Sequence, residues 1–473
     1  MRQWMVAAKK ADFYAIAEKF HVDPVVARII RNREVIGEKN IRIYLGGNLS
    51  DLSDPHQMKD MDRLVEILAQ KIRKQVHIRI IGDYDVDGVT SSHLFLTALR
   101  RVGAKVDVVI PHRIQDGYGL SLHLLQQAKE DGVDTILTCD NGIAAIDEIA
   151  WAKAQKMTVL VTDHHAVPFE EHEGRRTEKK SLADAVVNPH QQDCGYPYKE
   201  LCGAGVAWNV IRVLYENYDM DKREAEDLLD FVAMATVCDV MSLTGENRIL
   251  VKEGLKRIRH TKNIGLQALM QACNVQPENI SAYHFGYVLG PCVNATGRLD
   301  TARHALRLFE TGQETEAEEI ARDLVDLNQE RKELTLQGVE MAKKLCEEGG
   351  YENDPVLVLF LPDVHESIAG LIAGRIREMY NRPVFVLTRG EEGVKGSGRS
   401  TENYSMYENM CGCAELFTKF GGHPMAAGLS LDKENVEKFK RRLNDQCTLS
   451  EEELTEKVVI DMELPFAAIT EHF

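Results

Sequence analysis

No stretch of this sequence is long and apolar enough to span a bilayer. The longest apolar runs, at 231–238 and 356–361, fall far short of the roughly 20 residues such a helix requires. The opening residues, MRQWMVAAKKADF, lack the apolar core of a secretory signal, so the expectation is a cytoplasmic protein with no membrane partner. CxxC pairs are absent as well. Ten cysteines are scattered between positions 139 and 447, which argues against a zinc ribbon or a disulfide framework and for reduced thiols. The CxC at Cys411 and Cys413 has no second Cys/His pair beside it. Positive charge is also in short supply. At a formal net charge of −17 the surface as a whole repels phosphate, so any nucleic-acid contact must be a local groove. Basic runs at 71–74, 100–101, 175–180 and 256–262 could supply one, although the ordinary role of a basic run is a solvated face.

What is present fits a folded, multi-domain chain: 473 residues, 44% hydrophobic and 28% charged, are enough for two or three cores. From about 76 to 165, short apolar runs (VHIRIIGD, VDVVIP, TILTCD, MTVLVTDHH) alternate with stretches of helical spacing at 89–102, 120–130 and 144–156. That alternation predicts βαβ units and a parallel sheet. Right-handed crossovers would bring the polar strand ends to one edge, where open α/β sheets bind ligands. Helical spacing recurs at 205–218 and 223–236. Between 301 and 348 there is no proline, and Leu324, Leu327, Leu334, Val339, Ala342 and Leu345 follow helix-like spacing. A second α/β unit begins at DPVLVLFL, continues through a helix at 368–380 and the strand PVFVLT, and ends in a glycine-rich stretch at 421–428. The predicted fold is therefore α/β, with two α/β domains of mainly parallel sheets joined by a long helical connector and the active site in the cleft between them.

The strand VHIRII runs directly into GDYDVDG at 82–88, which places Asp83, Asp85 and Asp87 at one strand-to-helix turn. One of them can cap the helix, but three crowded carboxylates repel one another unless a cation joins them. Asp140 closes the third strand, and Asp163, His164 and His165 close the fourth. A lone histidine is usually a satisfied core or surface residue, whereas two adjacent ones after an aspartate at a strand end suit metal chemistry. Carboxylates mixed with a few imidazoles favour Mn²⁺ or Mg²⁺ over zinc. A shared carboxylate could hold two ions about 4 Å apart, the arrangement used in phosphoryl transfer. Arg113, Arg298 and Arg399 are planar forks suited to phosphate, Ser397 adds a hydroxyl, and Gly396, Gly398, Gly421 and Gly422 allow close backbone approach. Each arginine by itself is as well explained by a surface ion pair. Tyr118 and Tyr84 could stack a base or pack in the core.

These residues resemble the DHH phosphoesterase superfamily, which carries an aspartate-rich first motif, a lone Asp, the DHH triplet and a later Asp, here matched by Asp239 in ATVCDVMSL. GDYDVDGVTSS, PHRIQDGYGL, VVNPH, CGAGVAW, NATGRLD, LNQERK, KGSGRS and FGGHPMAAGL look like motifs of its RecJ branch, in order, over about 78–429. The resemblance implies that Asp85, Asp87, Asp140, His164 and Asp239 are metal ligands with Asp83 a close neighbour, and that two ions are bound. His165, with Asp163, would serve catalysis at the scissile phosphate. Arg113, Arg298, Ser397 and Arg399 would contact phosphate, with Gly421, Gly422 and His423 in the substrate-binding GGH element. The domains implied are a helical extension (1–50), a DHH catalytic domain (51–300), the connector (301–348), a DHH-associated substrate-binding domain (349–445) and a tail (446–473). LTEKVVIDMELPF in that tail looks like the opening strand of an OB-fold that is not present. Three departures stand out: Asn141 where the family commonly has Cys, Ser367 where Gly is usual, and Cys292 where a basic residue is common.

The activity implied is five-prime exonucleolytic hydrolysis of single-stranded DNA to mononucleotides in repair and recombination, with RNA as a second candidate substrate. The chain would act as a monomer, with a single-strand-binding protein or a helicase as candidate partner. Two other readings stand beside it. One is a small-substrate DHH enzyme acting on very short oligoribonucleotides or a nucleotide; such relatives are shorter and lack the connector. The other is a non-catalytic DNA-binding scaffold, whose known relatives lose the metal ligands.

Overall fold

A computed structural model describes all residues except 1, 114, 115, 118, 173, 174, 392, 467, 468 and 470–473. The chain divides into two compact units, one formed by residues 35–328 and the other by 1–34 with 329–473.

The first unit is built on a five-stranded parallel sheet. Its strands are β1 (His77–Ile81), β2 (Lys105–Val109), β3 (Thr135–Cys139), β4 (Thr158–Thr162) and β5 (Ala185–Val187), in the order β2-β1-β3-β4-β5. Side chains alternate between faces as a pleat requires. Ile80, Leu137 and Leu160 enter one buried cluster, and Ile81, Ile136 and Val161 enter another. Helices cover both faces, which is why these strands read as continuous apolar runs. The helix after β1, α1 (Val86–Arg101), is buried almost all round from Val86 to Leu99. It packs against α2 (Gly203–Asn217) and α3 (Leu229–Cys238). The chain leaves β1 for β2 on one side and returns to β3 on the other, so the strand order reverses between β1 and β3. In an open α/β sheet the crevice at the carboxyl ends of such strands is the ligand site, and there the acidic motifs lie.

The second unit contains β6 (Leu357–Phe360), β7 (Val384–Arg389), β8 (Val394–Arg399), β9 (Phe417–His423) and β10 (Ala426–Leu431), ordered β9-β10-β8-β7-β6. Only β6 and β7 pair in parallel; the three other pairings are antiparallel. The links from β7 to β8 and from β9 to β10 are too short for the crossover a parallel pair needs. At the termini, Arg2–Val6 pairs in parallel with Glu456–Ile460, so the strand foreseen in the tail has a partner at the start of the chain. The first 50 residues hold three helices behind that strand rather than helix alone. The connector foreseen at 301–348 is broken into Arg303–Glu310 and Glu314–Gly349. At the break, the Thr311 hydroxyl accepts from Gln313 N at 3.2 Å, the local bond with which threonine competes against helix. The boundary between the units falls inside the longer helix. None of the ten cysteines is in a disulfide, and among the described residues no helix is long and apolar enough to cross a membrane.

Candidate metal centre

The loop after β1 closes tightly. A Cβ on Gly88 would stand 2.5 Å from the backbone N of Asp83, so only glycine lets the first turn of α1 fold back on the loop. Asp85 is the N-cap of α1 and accepts from Gly88 N at 3.1 Å, the bland role expected of one aspartate here. The other two do different work. Asp87 accepts from Gly203 N at 2.6 Å and Ala204 N at 2.7 Å, the first two amides of α2. The positive end of that helix therefore fixes the carboxylate. Gly203 is required there, because a Cβ would lie 2.6 Å from Asp140 Cβ. Asp83 is 1% exposed, and its Oδ1 has no hydrogen-bond partner among the described residues.

Asp140 follows β3 with φ of 61°, a left-handed conformation uncommon for a residue with a Cβ. The next side chain holds it there: Asn141 Nδ2 donates to Ile81 O at 3.0 Å and to Cys139 O at 2.9 Å, tying the ends of β1 and β3 together. The departure from the family's usual Cys thus supplies a clamp at the crevice. At the end of β4, Asp163 turns away from the carboxylate cluster. Its Oδ1 accepts from His164 N, His165 N and His165 Nδ1 at 2.7, 3.1 and 2.7 Å, and its Oδ2 accepts from Ile143 N at 2.9 Å. Asp239 is the C-cap of α3.

These elements converge on one point. His164 Nε2 is buried without a hydrogen-bond partner among the described residues, yet lies 3.2 Å from Asp140 Oδ1, 3.6 Å from Asp239 Oδ2 and 3.7 Å from Asp87 Oδ2. Three overlapping sets of candidate ligand atoms, each within 4.8 Å, result: Asp83, Asp85 and Asp140; Asp87, His164 and Asp239; Asp140, His164 and His165. Burial, then the neighbouring carboxylates, push Asp140 well above the usual carboxylate range and Asp239 up to about 8; burial and Asp85 push Asp83 well up. Burial holds His164 below its usual range, leaving a neutral ring with a lone pair to offer. His165 goes the other way. Although burial alone would depress it, the hydrogen bond that its Nδ1 donates to Asp163 raises it to about 9. Burial would raise Asp163 too, but its bonds to His165 and Ile143 N hold it below the ordinary value. A cluster of anionic and neutral N/O donors with orphaned atoms at its centre fits hard divalent cations.

Of the phosphate-contact residues foreseen in this unit, Arg113 stacks on Tyr84, its guanidinium 4.7 Å from the ring centroid. Arg298 is on Gly290–Leu299, a helix that presses on the same loop. Its Asn294 Oδ1 accepts from Val86 N at 3.1 Å, and a Cβ on Gly297 would meet Tyr84 O at 2.2 Å. Tyr118 lies outside the described residues. Ser397, Arg399, Gly421, Gly422 and His423 belong to the other unit. Ser397 and Arg399 are two apart on β8, and Ser397 and Gly421 both pair with Gly428 of β10 from opposite sides. Arg399 Nη1 donates to Gly398 O at 2.8 Å. Asn294 and Gly203 position the site with no signal in the sequence beyond their places in NATGRLD and CGAGVAW, whereas Asn141 stands out there as the departure beside Asp140.

Comparison with known proteins adds to this geometry. The DHH family N-terminal domain matches residues 77–236, and the DHHA1 domain matches 353–449. The single-stranded-DNA-specific exonuclease RecJ of Haemophilus influenzae is 35% identical over 461 residues, which cover 93% of this chain and 78% of the relative. RecJ of Bacillus subtilis is 33% identical over 452 residues, covering 95% of this chain and 56% of the relative. The crystal structure of Thermus thermophilus RecJ with Mn²⁺ superposes with a TM-score of 0.81 at 28% identity, over 98% of this chain and 65% of that one. A second exonuclease RecJ structure bound to manganese has a TM-score of 0.71 at 32% identity, over 82% of this chain and 94% of that one. The chain thus spans little more than half of the B. subtilis protein.

Proposed function

The chain belongs to the RecJ family of DHH phosphoesterases, and from that membership we propose that it is an exonuclease that hydrolyses single-stranded DNA from the five-prime end to mononucleotides, using two Mn²⁺ or Mg²⁺ ions. The observation that carries this reading is the meeting of Asp87, Asp140 and Asp239 around the unpaired His164 Nε2, with Asp83 and Asp85 beside them. Asp85, Asp87, Asp140, His164 and Asp239 hold the ions, with Asp83 as an additional ligand or immediate neighbour. Divalent cations held by these residues would supply Lewis-acid activation of water and charge neutralisation at the phosphate. Asp163 holds His165 Nδ1 and so leaves Nε2 to donate to a non-bridging oxygen of the scissile phosphate. Arg113, over the Tyr84 ring, and Arg298 take further phosphate oxygens. Ser397, Arg399, Gly421, Gly422 and His423 bind the strand and its terminal phosphate. With a molecule of net charge −17, substrate attraction depends on these local groups. We place the enzyme in the cytoplasm as a monomer serving DNA repair and recombination, where a single-strand-binding protein or a helicase would present its substrate.

End-labelled single- and double-stranded oligonucleotides incubated with Mn²⁺ test the reading. The expected result is release of mononucleotides from the five-prime end of the single strand, little attack on duplex, and a fall of about 100-fold or more for Asp140→Ala. Equal attack on duplex, or full activity in Asp140→Ala, refutes it. A dinucleotide cleaved faster than a twenty-mer would favour a small-substrate enzyme instead.

A further inference from the structure

The last turn of α3, which presents Asp239, packs against a helical segment that supplies no candidate metal ligand. Cys238 Sγ donates to Phe285 O at 3.3 Å, and a Cβ on Gly286 would touch Val237 Cγ1 at 3.5 Å. The segment begins with Ala282–His284, passes through a π-helical turn at Phe285–Leu289 and continues as Gly290–Leu299, the helix of Asn294 and Arg298. Such turns are rare and recur at functional sites. Residues 279–298 hold no aspartate or glutamate, in a chain that has 74 of them. A nucleic-acid backbone therefore meets less repulsion here than a net charge of −17 imposes on the surface as a whole.

Two tyrosine rings of this segment stand in solvent. Tyr283 is 62% and Tyr287 71% exposed, and they stack on each other with centroids 5.1 Å apart and planes 24° from parallel. Tyr283 also meets the His284 ring edge-on at 5.8 Å, so its orientation is held from two sides. Phe285 and Leu289, which alternate with them, are fully buried and anchor the segment to the core. Large rings left together in water are the informative exception to apolar burial, and such surfaces mark binding sites. Their open faces accept any base, because stacking requires only a flat π system.

A second observation lies on the other side of the same packing contact. Val240, directly after Asp239, is 88% exposed and has φ of 57°. Val240 N donates to Val237 O and Met241 N to Thr236 O, each at 3.2 Å. That pair of bonds closes a helix with its left-handed position ordinarily given to glycine. A β-branched side chain is strained there, and this one, in water, gains no packing to offset the strain. Backbone strain of this kind gathers where a ligand is gripped.

Resting on the nuclease reading above, we propose that Tyr283 and Tyr287 stack bases of the single strand whose phosphates approach the metal centre, and that Val240 packs against the same strand beside Asp239. The test is binding of a labelled single-stranded twenty-mer with hydrolysis-resistant phosphorothioate linkages, followed by fluorescence anisotropy with the full chain in Mn²⁺. A second twenty-mer carries the same phosphates but lacks the bases of its first six nucleotides. The parent should bind the intact strand more tightly than the abasic one. Tyr283→Ala/Tyr287→Ala should bind the intact strand about tenfold more weakly and discriminate less between the two, with the parent's melting temperature and Mn²⁺ affinity. Tyr283→Phe/Tyr287→Phe, which keeps the rings, should bind within twofold of the parent. Val240→Gly should melt about 2 °C higher as the strain is relieved, yet bind the intact strand about threefold more weakly. The proposal is overturned if the alanine variant binds the intact strand as the parent does, or if it keeps the parent's full preference for a strand with bases. Failure of the parent to cleave an unmodified strand that it binds in the expected way would remove the nuclease reading and leave the stacking site. Cleavage by the alanine variant with the parent's KM and kcat would do the reverse.

Discussion

Asp163 gives up both of its oxygens to the protein: four donors, three on Oδ1 and one on Oδ2, take them before any ion can. The first letter of the DHH triplet therefore positions a histidine. Asp163→Asn should keep Mn²⁺ affinity within a few-fold of the parent while single-strand cleavage falls by about 10- to 100-fold, the usual effect of losing a group that orients an active one. Parallel calorimetric titration and cleavage assays decide this; loss of Mn²⁺ binding as complete as in Asp140→Ala would make Asp163 a ligand. Asn141 offers a second test. Its amide closes the ends of β1 and β3, so Asn141→Ala should cost about 1–3 kcal/mol through unpaired buried carbonyls and lower Mn²⁺ affinity by releasing Asp140 from its left-handed conformation. Thermal melting and Mn²⁺ titration measure the two effects. The aspartates could be read from the sequence because a charged residue at the end of an apolar strand is conspicuous. Asn141 showed there only as a departure beside Asp140; its clamp could not be read, because its partner Ile81 O is a backbone atom 60 residues away.

The helices organise the site through their ends. α1 brings Asp87 by its first turn, α2 holds that carboxylate with its first two amides, α3 presents Asp239 at its last turn, and Gly290–Leu299 caps α1 from outside through Asn294. The Asn294 contact spans 208 residues and satisfies one of the orphan amides at the start of α1. Asn294→Ala should cost about 1 kcal/mol, read as a lowered melting temperature, with weaker Mn²⁺ binding because the Asp85 and Asp87 loop loosens. An unchanged melting temperature and unchanged ion affinity would show that Asn294 does not hold the loop. Strand and helix alternation revealed the parallel sheet of the first unit, since buried parallel strands are apolar from end to end and their crossovers are amphipathic. The second sheet was harder to read. DPVLVLFL and PVFVLT carry the same signal and are its one parallel pair, but β8, β9 and β10 are rich in glycine and polar residues and show no such period. The helical connector expected at 301–348 is helical in two pieces, and the break has a local reason, the Thr311 bond that ends one helix before the next begins.

Over the whole molecule, the charge excess of −17 and the buried carboxylate cluster tie stability to pH and to cations. Burial and mutual repulsion raise Asp83 and Asp140 well above their ordinary value, and Asp239 from 3.8 to about 8. A carboxyl that is protonated in the fold and ionised in the unfolded chain makes the native state bind more protons. Stability therefore falls as pH rises from about 4 through 8 in the ion-free protein. Divalent cations act in the opposite sense, replacing those protons and binding only the folded cluster. At a hundredfold excess over the dissociation constant they add about 2.7 kcal/mol. The unit holding the cluster should accordingly lose melting temperature between pH 5 and pH 8 in EDTA and keep it in saturating Mn²⁺, so that the gain from Mn²⁺ widens with pH. In Asp140→Ala that gain should shrink at every pH, because one of the carboxylates that both repels its neighbours and receives the ion is gone. Equal pH slopes with and without Mn²⁺ would mean that these side chains do not gather around cations, and the nuclease reading would lose its foundation.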